Sequence, residues 1–185
     1  MKSAAVVLAA GASRRMGMPK QLIRICGETL VERTIRICRE AGCEPVVVVL
    51  GAAADQVRSA CSLGRAVVVV NEHWQEGMAS SIAQGVSALD DCVQGCVITT
   101  CDMPAVSAEH LGRLAATGEL TASAYAGRQG VPAYFPRSVF PQLAALRGDT
   151  GARDLLKQCP AIPLAGGELD IDTPQDVERA FELFG

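Results

Sequence analysis

Short apolar runs alternate along the first half of the chain with segments whose apolar residues recur every three or four positions. The apolar runs carry no polar alternation, which is typical of strands covered on both faces of a sheet. The segments between them have the spacing of amphipathic helices. This alternation predicts parallel βαβ units in an α/β sheet. The predicted strands are residues 4–9, 45–50, 66–70 and 96–100, and the predicted helices between them are 29–40, 53–62 and 79–89.

The second half of the chain predicts shorter and less regular elements. Ser107 is a candidate N-cap for a helix over residues 108–117, and Thr173-Pro174 begins the last helix with an N-cap and a proline. The remaining elements are a hairpin of strands 122–126 and 131–135, short helices at 137–146 and 151–158, and a short strand at 162–164. No repeat or linker interrupts the pattern, so we expect residues 1–185 to form one domain.

Composition and charge argue against two classes of partner. The chain is 49% apolar and 20% charged, which are globular values. Its 17 Lys and Arg nearly balance its 20 Asp and Glu, and only 4% of the residues are aromatic, so a basic groove with stacking rings for nucleic acid is not expected. No run approaches the ~20 apolar residues that cross a membrane. Acidic small molecules stay open as substrates.

The eight cysteines form no C-x-x-C pair. Cys92, Cys96 and Cys101 lack the ligand spacing of a zinc ribbon. Most of the cysteines fall in apolar segments, which predicts reduced core thiols in a cytoplasmic protein. Lys2 followed by the apolar residues 4–10 is also similar to a minimal signal peptide, but the Gly-rich basic loop that follows favours a buried strand.

The first segment that points to chemistry is the loop LAAGASRRMGMPKQ (8–21), directly after the first predicted strand. Open α/β sheets bind ligands at the carboxyl ends of their strands. The loop combines glycine N–H groups with Arg14, Arg15 and Lys20, which suits a di- or triphosphate. It matches neither the P-loop nor the G-x-G-x-x-G fingerprint. The alternative is a flexible basic turn without a ligand.

Carboxylates supply the second signal. Asp102 closes the fourth predicted strand, where it can hold a divalent cation or cap the next turn. Asp170 and Asp172 precede the last helix, and in an extended chain their side chains point the same way. One of them could join Asp102 on a metal, although acidic residues at a helix N-terminus are also favoured by the helix dipole.

The third signal is the segment NEHWQEGMASSI (71–82), which links the third strand to a helix. Its small residues would let a flat base or a ribose approach the helix N-terminus. Trp74 and Met78 are either part of such a site or ordinary packing residues.

Together these segments resemble the nucleotidyltransferases that attach a nucleotide to the molybdopterin of the molybdenum cofactor, most closely the MobA-like molybdenum cofactor cytidylyltransferases. The resemblance runs through nearly the whole chain. It implies a Rossmann-like, three-layer α/β nucleotidyltransferase domain with a mainly parallel sheet and a small antiparallel β element. The motifs are LAAGASRRMGMPKQL (8–22), NEHWQEGMASSIAQG (71–85), CDMP (101–104), GVPAYF (130–135), GDTGARDLL (148–156) and DIDTPQDV (170–177).

The resemblance also implies residue roles. Arg15, Lys20 and Asp102 would be catalytic, and Asp102 and Asp172 would hold Mg²⁺ or Mn²⁺. The nucleotide would be bound by Leu8, Ala9, Ala10, Gly11, Ser13, Lys20, Asn71, Gly77, Ser80 and Ser81, and the acceptor by Gly130, Pro132, Gly148 and Arg153.

The implied reaction is attack by a terminal phosphate of a molybdopterin-type acceptor on the α-phosphorus of a nucleoside triphosphate, with release of pyrophosphate. Ala10 stands where guanylyl-transferring relatives tend to have glycine, which favours CTP over GTP. A molybdenum hydroxylase is the candidate to receive the product. The alternatives are a methylerythritol-phosphate cytidylyltransferase, a sugar-phosphate nucleotidyltransferase, and a non-catalytic accessory protein that binds the molybdenum cofactor.

Overall fold

A seven-stranded sheet with helices on both faces forms the fold. The computed structural model describes residues 3–149 and 151–184, so Lys2 and Thr150 lie outside the described residues. The strands are β1 (Ser3–Ala9), β2 (Arg24–Ile25), β3 (Glu28–Thr29), β4 (Val46–Leu50), β5 (Val67–Val70), β6 (Gly95–Thr100), β7 (Thr121–Tyr125), β8 (Arg128–Pro136) and β9 (Ala161–Pro163). The helices are α1 (Leu30–Glu40), α2 (Ala54–Ala60), α3 (Met78–Ser87), α4 (Ala108–Thr117), α5 (Phe140–Ala145), α6 (Arg153–Leu156) and α7 (Pro174–Phe184), with 3-10 turns at Lys20–Leu22, Trp74–Glu76 and Arg137–Val139.

The strand order in the sheet is β5-β4-β1-β6-β8-β7-β9. Strands β5, β4, β1 and β6 are parallel, whereas β8 is antiparallel to both of its neighbours. Strands β2 and β3 form a separate antiparallel pair. The predicted mainly parallel α/β fold with a small antiparallel element is therefore confirmed.

The central strand β1 divides the core into two layers. All seven of its residues are buried. Ala5, Val7 and Ala9 pack in the layer of α1, α2 and α4, and the alternate residues Ala4, Val6 and Leu8 pack in the layer of α3 and α5. Because successive side chains of a strand point to opposite faces, an apolar run without alternation is what a strand between two layers requires.

Local signals place the helices where the sequence predicts them. Thr29 caps α1 in a reciprocal capping box with Glu32, and Ser107 caps α4 by accepting a hydrogen bond from the His110 N–H at 3.2 Å. At the start of α7, the Thr173 Oγ1 accepts a hydrogen bond from the Asp176 N–H at 3.3 Å. The segment predicted as a helix over residues 151–158 is shorter, because only Arg153–Leu156 is helical.

Strand β5 corrects one expectation. The sequence predicts a strand covered on both faces, but Val67 and Val70 are 44% and 41% exposed. The strand ends the sheet beside β4, so part of its apolar surface stays in solvent. The predicted hairpin also differs in context, because β7 and β8 are paired into the large sheet and do not form an element of their own.

The cysteines are all free thiols, as predicted, and half of them are buried. Burial raises the pKa of Cys43 to about 11 and that of Cys101 to about 12, so both are unreactive thiols. Cys26 and Cys92 depart from the expectation because they are exposed. Within residues 3–149 and 151–184, no helix has both the length and the apolar character needed to cross a membrane.

Two helical glycines provide a matched test of the packing between α3 and β1. A Cβ on Gly85 of α3 would lie 2.4 Å from the Val6 Cγ1, whereas a Cβ on Gly112 of α4 would meet only the Ala41 carbonyl oxygen at 3.8 Å. We expect Gly85→Ala to lower the free energy of unfolding by about 1–3 kcal/mol through overpacking. Gly112→Ala should raise it by about 0.5–1 kcal/mol through helix propensity. Urea denaturation measures both, and equal effects of the two substitutions would contradict the close packing.

Candidate active site

Two clefts open side by side at the carboxyl ends of β1 and β6. The large cleft has a volume of about 460 Å³ and the small cleft about 200 Å³. Met78, Thr100, Asp102 and Asp149 line both of them. The large cleft is otherwise lined by Leu8, Ala10, Gly11, Ala12, Ser13, Arg14, Lys20, Trp74, Gln75, Gly77 and Ser81, and the small cleft by Met103, Tyr125, Arg128, Gln129, Gly130, Val131, Ala152, Arg153, Leu156 and Asp170.

A chain of alternating charges meets the clefts at Lys20, which lines the large cleft, and at Asp102, which lines both. The Lys20 ammonium forms a short ion pair with the Asp102 Oδ2 and lies 3.2 Å from the Asp172 Oδ1. The Arg15 guanidinium contacts the other oxygen of Asp172 at 2.6 Å. Burial by itself lowers the pKa of Lys20, but the charge and hydrogen bond of Asp102, together with the charge of Asp172, raise this pKa above its ordinary value. Lys20 is therefore a permanent cation in this site.

Backbone contacts hold these charged residues together. The Lys20 N–H donates to the Ser13 Oγ at 3.0 Å, which closes the loop that follows β1. The Gln21 amide nitrogen donates to the carbonyl oxygens of Ala9 and Gly11 at 2.8 and 3.1 Å. The Ile171 N–H donates to the Asp102 carbonyl oxygen at 2.9 Å, which brings residues 170–172 to the end of β6. Three segments that are remote in sequence thus converge on one point.

The residues at this point fit a divalent cation. The Asp102 Oδ1 is buried and has no hydrogen-bond partner, although its other oxygen is paired. Asp170 stands beside it, and burial, followed by the charge of Asp102, raises the pKa of Asp170 to about 6. Among the described residues, no group of three or more His, Cys, Asp or Glu side chains forms a complete metal cage. One or two carboxylates with substrate phosphates are a common set of ligands for Mg²⁺.

The predicted base-binding segment is organised by buried Asn71. Its amide nitrogen donates to the hydroxyl oxygens of Ser80 and Ser81 at 2.9 and 3.0 Å, and its Oδ1 accepts from the His73 N–H at 2.9 Å. Of these residues Ser81 lines the large cleft, whereas Asn71 and Ser80 do not line it, and Asn71 holds Ser81 through its hydrogen bond. Gly77 begins α3 with a φ of +106° and faces Asp149.

The loop after β1 divides its residues between the cleft and the core. Leu8, Ala10, Gly11, Ser13 and Lys20 line the large cleft, whereas Ala9 faces the opposite layer. Arg14 also lines the cleft, whereas the predicted Arg15 does not line it and instead pairs with Asp172.

Of the predicted acceptor residues, Gly130 and Arg153 line the small cleft, and Pro132 is buried and does not line it. The Gly148 carbonyl accepts a hydrogen bond from the Ala79 N–H at 3.1 Å. Thr150 of the same motif lies outside the described residues.

Several residues of the site were missed by sequence reasoning. Asp149 lines both clefts, and Tyr125 and Arg128 line the small cleft, where the guanidinium lies 5.1 Å from the Tyr125 ring centre. Arg33 of α1 donates to the carbonyl oxygens of Pro104 and Val106 at 3.0 and 3.4 Å, which steadies the turn after Asp102. The only sequence signal for Arg128 is its place in the turn 127–130 of the predicted hairpin. No sequence pattern points to Arg33.

The fold is that of a nucleotidyltransferase of the three-layer α/β type. A basic, glycine-containing loop follows its first strand, and the lysine of this loop pairs with two carboxylates. Residues 5–162 match the family described as MobA-like NTP transferase domain, and the chain belongs to that family.

Three relatives indicate how varied the related proteins are. A protein of Paenarthrobacter nicotinovorans named nicotine blue oxidoreductase is 33% identical over 97% of this chain and 93% of its own length. The purine catabolism protein PucB of Bacillus subtilis is 32% identical over 94% and 93%. A probable molybdenum cofactor guanylyltransferase of Opitutus terrae is 37% identical over 60% of this chain and 53% of its own length.

A solved structure covers nearly the whole chain. Rv0371c of Mycobacterium tuberculosis H37Rv has a TM-score of 0.87 and 34% identity, covering 98% of this chain and 100% of its own. The structure of the same protein in complex with manganese has a TM-score of 0.82 and 32% identity over 99% and 100%. A divalent cation is thus found with this fold in a relative.

The contact between Gly77 and the loop of Asp149 is testable. A Cβ on Gly77 would lie 2.4 Å from the Asp149 Oδ1 and 2.7 Å from the Gly148 carbonyl carbon, at a φ that disfavours other residues. We expect Gly77→Ala to displace this loop and weaken nucleoside triphosphate binding at least about tenfold by calorimetry. The control is Gly127→Ala, because Gly127 has a φ of +72° and nothing within 4 Å of its Cβ. Equal affinities of the two variants would contradict the role of the contact.

Proposed function

We propose that the protein transfers CMP from CTP to a molybdopterin-type acceptor and releases pyrophosphate. The observation that carries the proposal is the position of Lys20 and Asp102 at the junction of two clefts, where a donor in one would meet an acceptor in the other. The new P–O bond forms between the acceptor phosphate and the α-phosphorus, and the bond between the α- and β-phosphates breaks. No side chain has to become a nucleophile.

In this proposal the large cleft holds the nucleotide. The backbone of Ala10, Gly11 and Ser13 would approach the phosphates. Lys20 and Arg14, which line the cleft, would neutralise their charge together with the exposed Arg15. Asp102 and Asp172 would hold Mg²⁺ or Mn²⁺, and the bound cation would supply positive charge next to the phosphate oxygens. The contribution of the protein is positioning and electrostatic stabilisation.

The choice of CTP rests on the wall around Ala10. A Cβ added to Gly51 would lie 2.8 Å from both the Ala10 Cβ and the Trp74 Cβ, so these three residues are closely packed. Because this wall is closely packed, it cannot easily move outward to make room for a purine base, which is larger than cytosine. Leu8, Gly77 and Ser81 line the same cleft, so the base would lie against several fixed groups.

The choice of acceptor rests on the small cleft. Arg153 and Arg128 supply cations for a phosphate, and Tyr125, Met103 and Leu156 supply apolar surface for a flat ring. Gly130 leaves room beside Tyr125, because a Cβ there would lie 2.7 Å from the Tyr125 hydroxyl oxygen. The name of the Opitutus terrae relative supports an acceptor of the molybdenum cofactor type. A molybdenum hydroxylase in the cytoplasm would then receive the product.

A second candidate is an oxidoreductase, favoured by the identity to the Paenarthrobacter nicotinovorans protein along nearly its full length. The carboxylates and cations between the clefts favour phosphate chemistry over this candidate. GTP as donor, another phosphorylated acceptor and a non-catalytic binding role complete the set of alternatives.

Pyrophosphate release with CTP, GTP or ATP and purified molybdopterin separates these functions. Release with CTP and molybdopterin supports the proposal. If pyrophosphate is released only when a sugar phosphate or methylerythritol phosphate replaces molybdopterin, the acceptor is a different phosphate compound. Binding of molybdopterin without release indicates the accessory role. Redox turnover of nicotine blue without pyrophosphate release would establish the oxidoreductase instead.

Asp102→Asn tests the metal site. The substitution keeps the shape of the side chain but removes the charge that a hard cation requires, so we expect turnover to fall at least about 100-fold. Circular dichroism should show an intact fold. Asp91→Asn is the matched control, because Asp91 forms an exposed ion pair with Arg137 remote from the clefts and should keep full activity. Activity of Asp102→Asn equal to that of the control at low magnesium would remove Asp102 from the reaction.

Nucleotide choice is tested by kinetics with CTP, GTP and ATP at saturating acceptor. We expect CTP to be preferred over GTP at least about tenfold, since a steric or hydrogen-bond mismatch is worth about 1–3 kcal/mol. Ala10→Gly should reduce this preference only in part, because Gly51 and Trp74 keep their places in the wall. Equal use of the two nucleotides by the unmodified protein would refute the cytidylyl assignment and leave nucleotidyl transfer itself intact.

A further inference from the structure

Lys20 lies between the two carboxylates that the proposed function assigns to the cation. Its ammonium pairs with the Asp102 Oδ2 and lies 3.2 Å from the Asp172 Oδ1. The side chain of Lys20 is only 16% exposed and that of Asp102 only 14%, so water weakens this pair much less than a surface pair. The same lysine would have to contact phosphates when a nucleotide is bound.

We propose that Lys20 replaces the divalent cation in the nucleotide-free protein, so that metal and lysine compete for Asp102 and Asp172 until a triphosphate draws the lysine away. The inference rests on the proposed function, because it takes these two carboxylates as the metal ligands. The Lys20 side chain would alternate between the carboxylates of Asp102 and Asp172 and the phosphates of the nucleotide. The free protein would then bind metal weakly, and metal would bind together with nucleotide.

Charge balance explains why such a replacement stabilises the free site. Two carboxylates that face each other without a cation repel, and the neighbouring Asp170 adds to this repulsion. The lysine removes the repulsion at Asp102 and at the near oxygen of Asp172. A triphosphate offers the lysine a larger negative charge, and the vacated carboxylate oxygens then become available to the metal. Binding energies coupled in this way are reciprocal.

Arg15 provides a control that is matched in charge. It also pairs with Asp172, but its side chain is 70% exposed and contacts only the Oδ2 atom, away from Asp102. Removing it changes the net charge of the site as much as removing Lys20 does. A loss of charge alone would therefore tighten metal binding in both variants, and less in the Arg15 variant because water screens this exposed side chain, whereas release of the metal position is specific to Lys20.

The first experiment measures Mn²⁺ affinity of the nucleotide-free protein by calorimetry or electron paramagnetic resonance. Lys20→Met and Lys20→Gln should bind Mn²⁺ at least about tenfold more tightly than the unmodified protein, whereas Arg15→Met and the remote Lys157→Met, which breaks the exposed pair with Asp154, should stay within about threefold. Equal tightening by Lys20→Met and Arg15→Met, or no tightening by either Lys20 variant, overturns the inference.

The second experiment uses the unmodified protein, so it is independent of how the variants fold. Acetylation of Lys20 and Lys157 is followed by mass spectrometry with and without saturating Mn²⁺. The metal should release Lys20 and raise its acetylation at least about fivefold while that of Lys157 stays constant. Unchanged acetylation of Lys20 overturns the inference. Pyrophosphate release is measured separately. An active enzyme in which Mn²⁺ and Lys20 do not compete refutes only the inference. Competition in a protein that never releases pyrophosphate refutes only the proposed function.

Discussion

Backbone pairing between β1 and β6 is the constraint on which the site depends. The two strands are parallel neighbours, and Leu8 lies opposite Thr100 in their register. Both chains therefore leave the sheet at the same edge, one into the glycine-containing loop and the other into Asp102. The charged residues are brought together by hydrogen bonding of two strands that are almost entirely buried and mostly apolar. The relative position of the charged residues is thus set by the buried strands β1 and β6.

The loop after β1 is held by polar contacts of its own. Gln21 is buried and binds two carbonyl oxygens of the loop, and Ser13 binds the Lys20 backbone. These contacts fix the lysine at its base, while its ammonium is held by carboxylates from two other segments. A long side chain fixed at both ends loses most of its rotational freedom, which places a cation accurately in a cleft that is otherwise open to solvent.

Sequence alone predicts most of the elements, the fold class and the nucleotidyltransferase family. The valine-rich runs, the Ser107 cap and the glycine-containing loop are local signals, and the structure has each of them where the sequence places it. Contacts between distant segments are not predictable in this way. Lys20 and Asp172 are 152 positions apart, and the hydrogen bonds of Arg33 to the turn after Asp102 leave no pattern in the chain. The exposure of β5 was missed because an edge strand and a central strand can have the same composition.

The short loop of Gly148 and Asp149 has a consequence for how the two specificities can change. It touches Gly77 at the start of α3, and Asp149 lines both clefts. Under the proposed function, a substitution there would alter the wall of the nucleotide cleft and, by the same displacement, the wall of the acceptor cleft. Donor and acceptor preference would then not be separate traits. A homologue that gains a new acceptor by substitutions in this loop would then also change the shape of its nucleotide cleft.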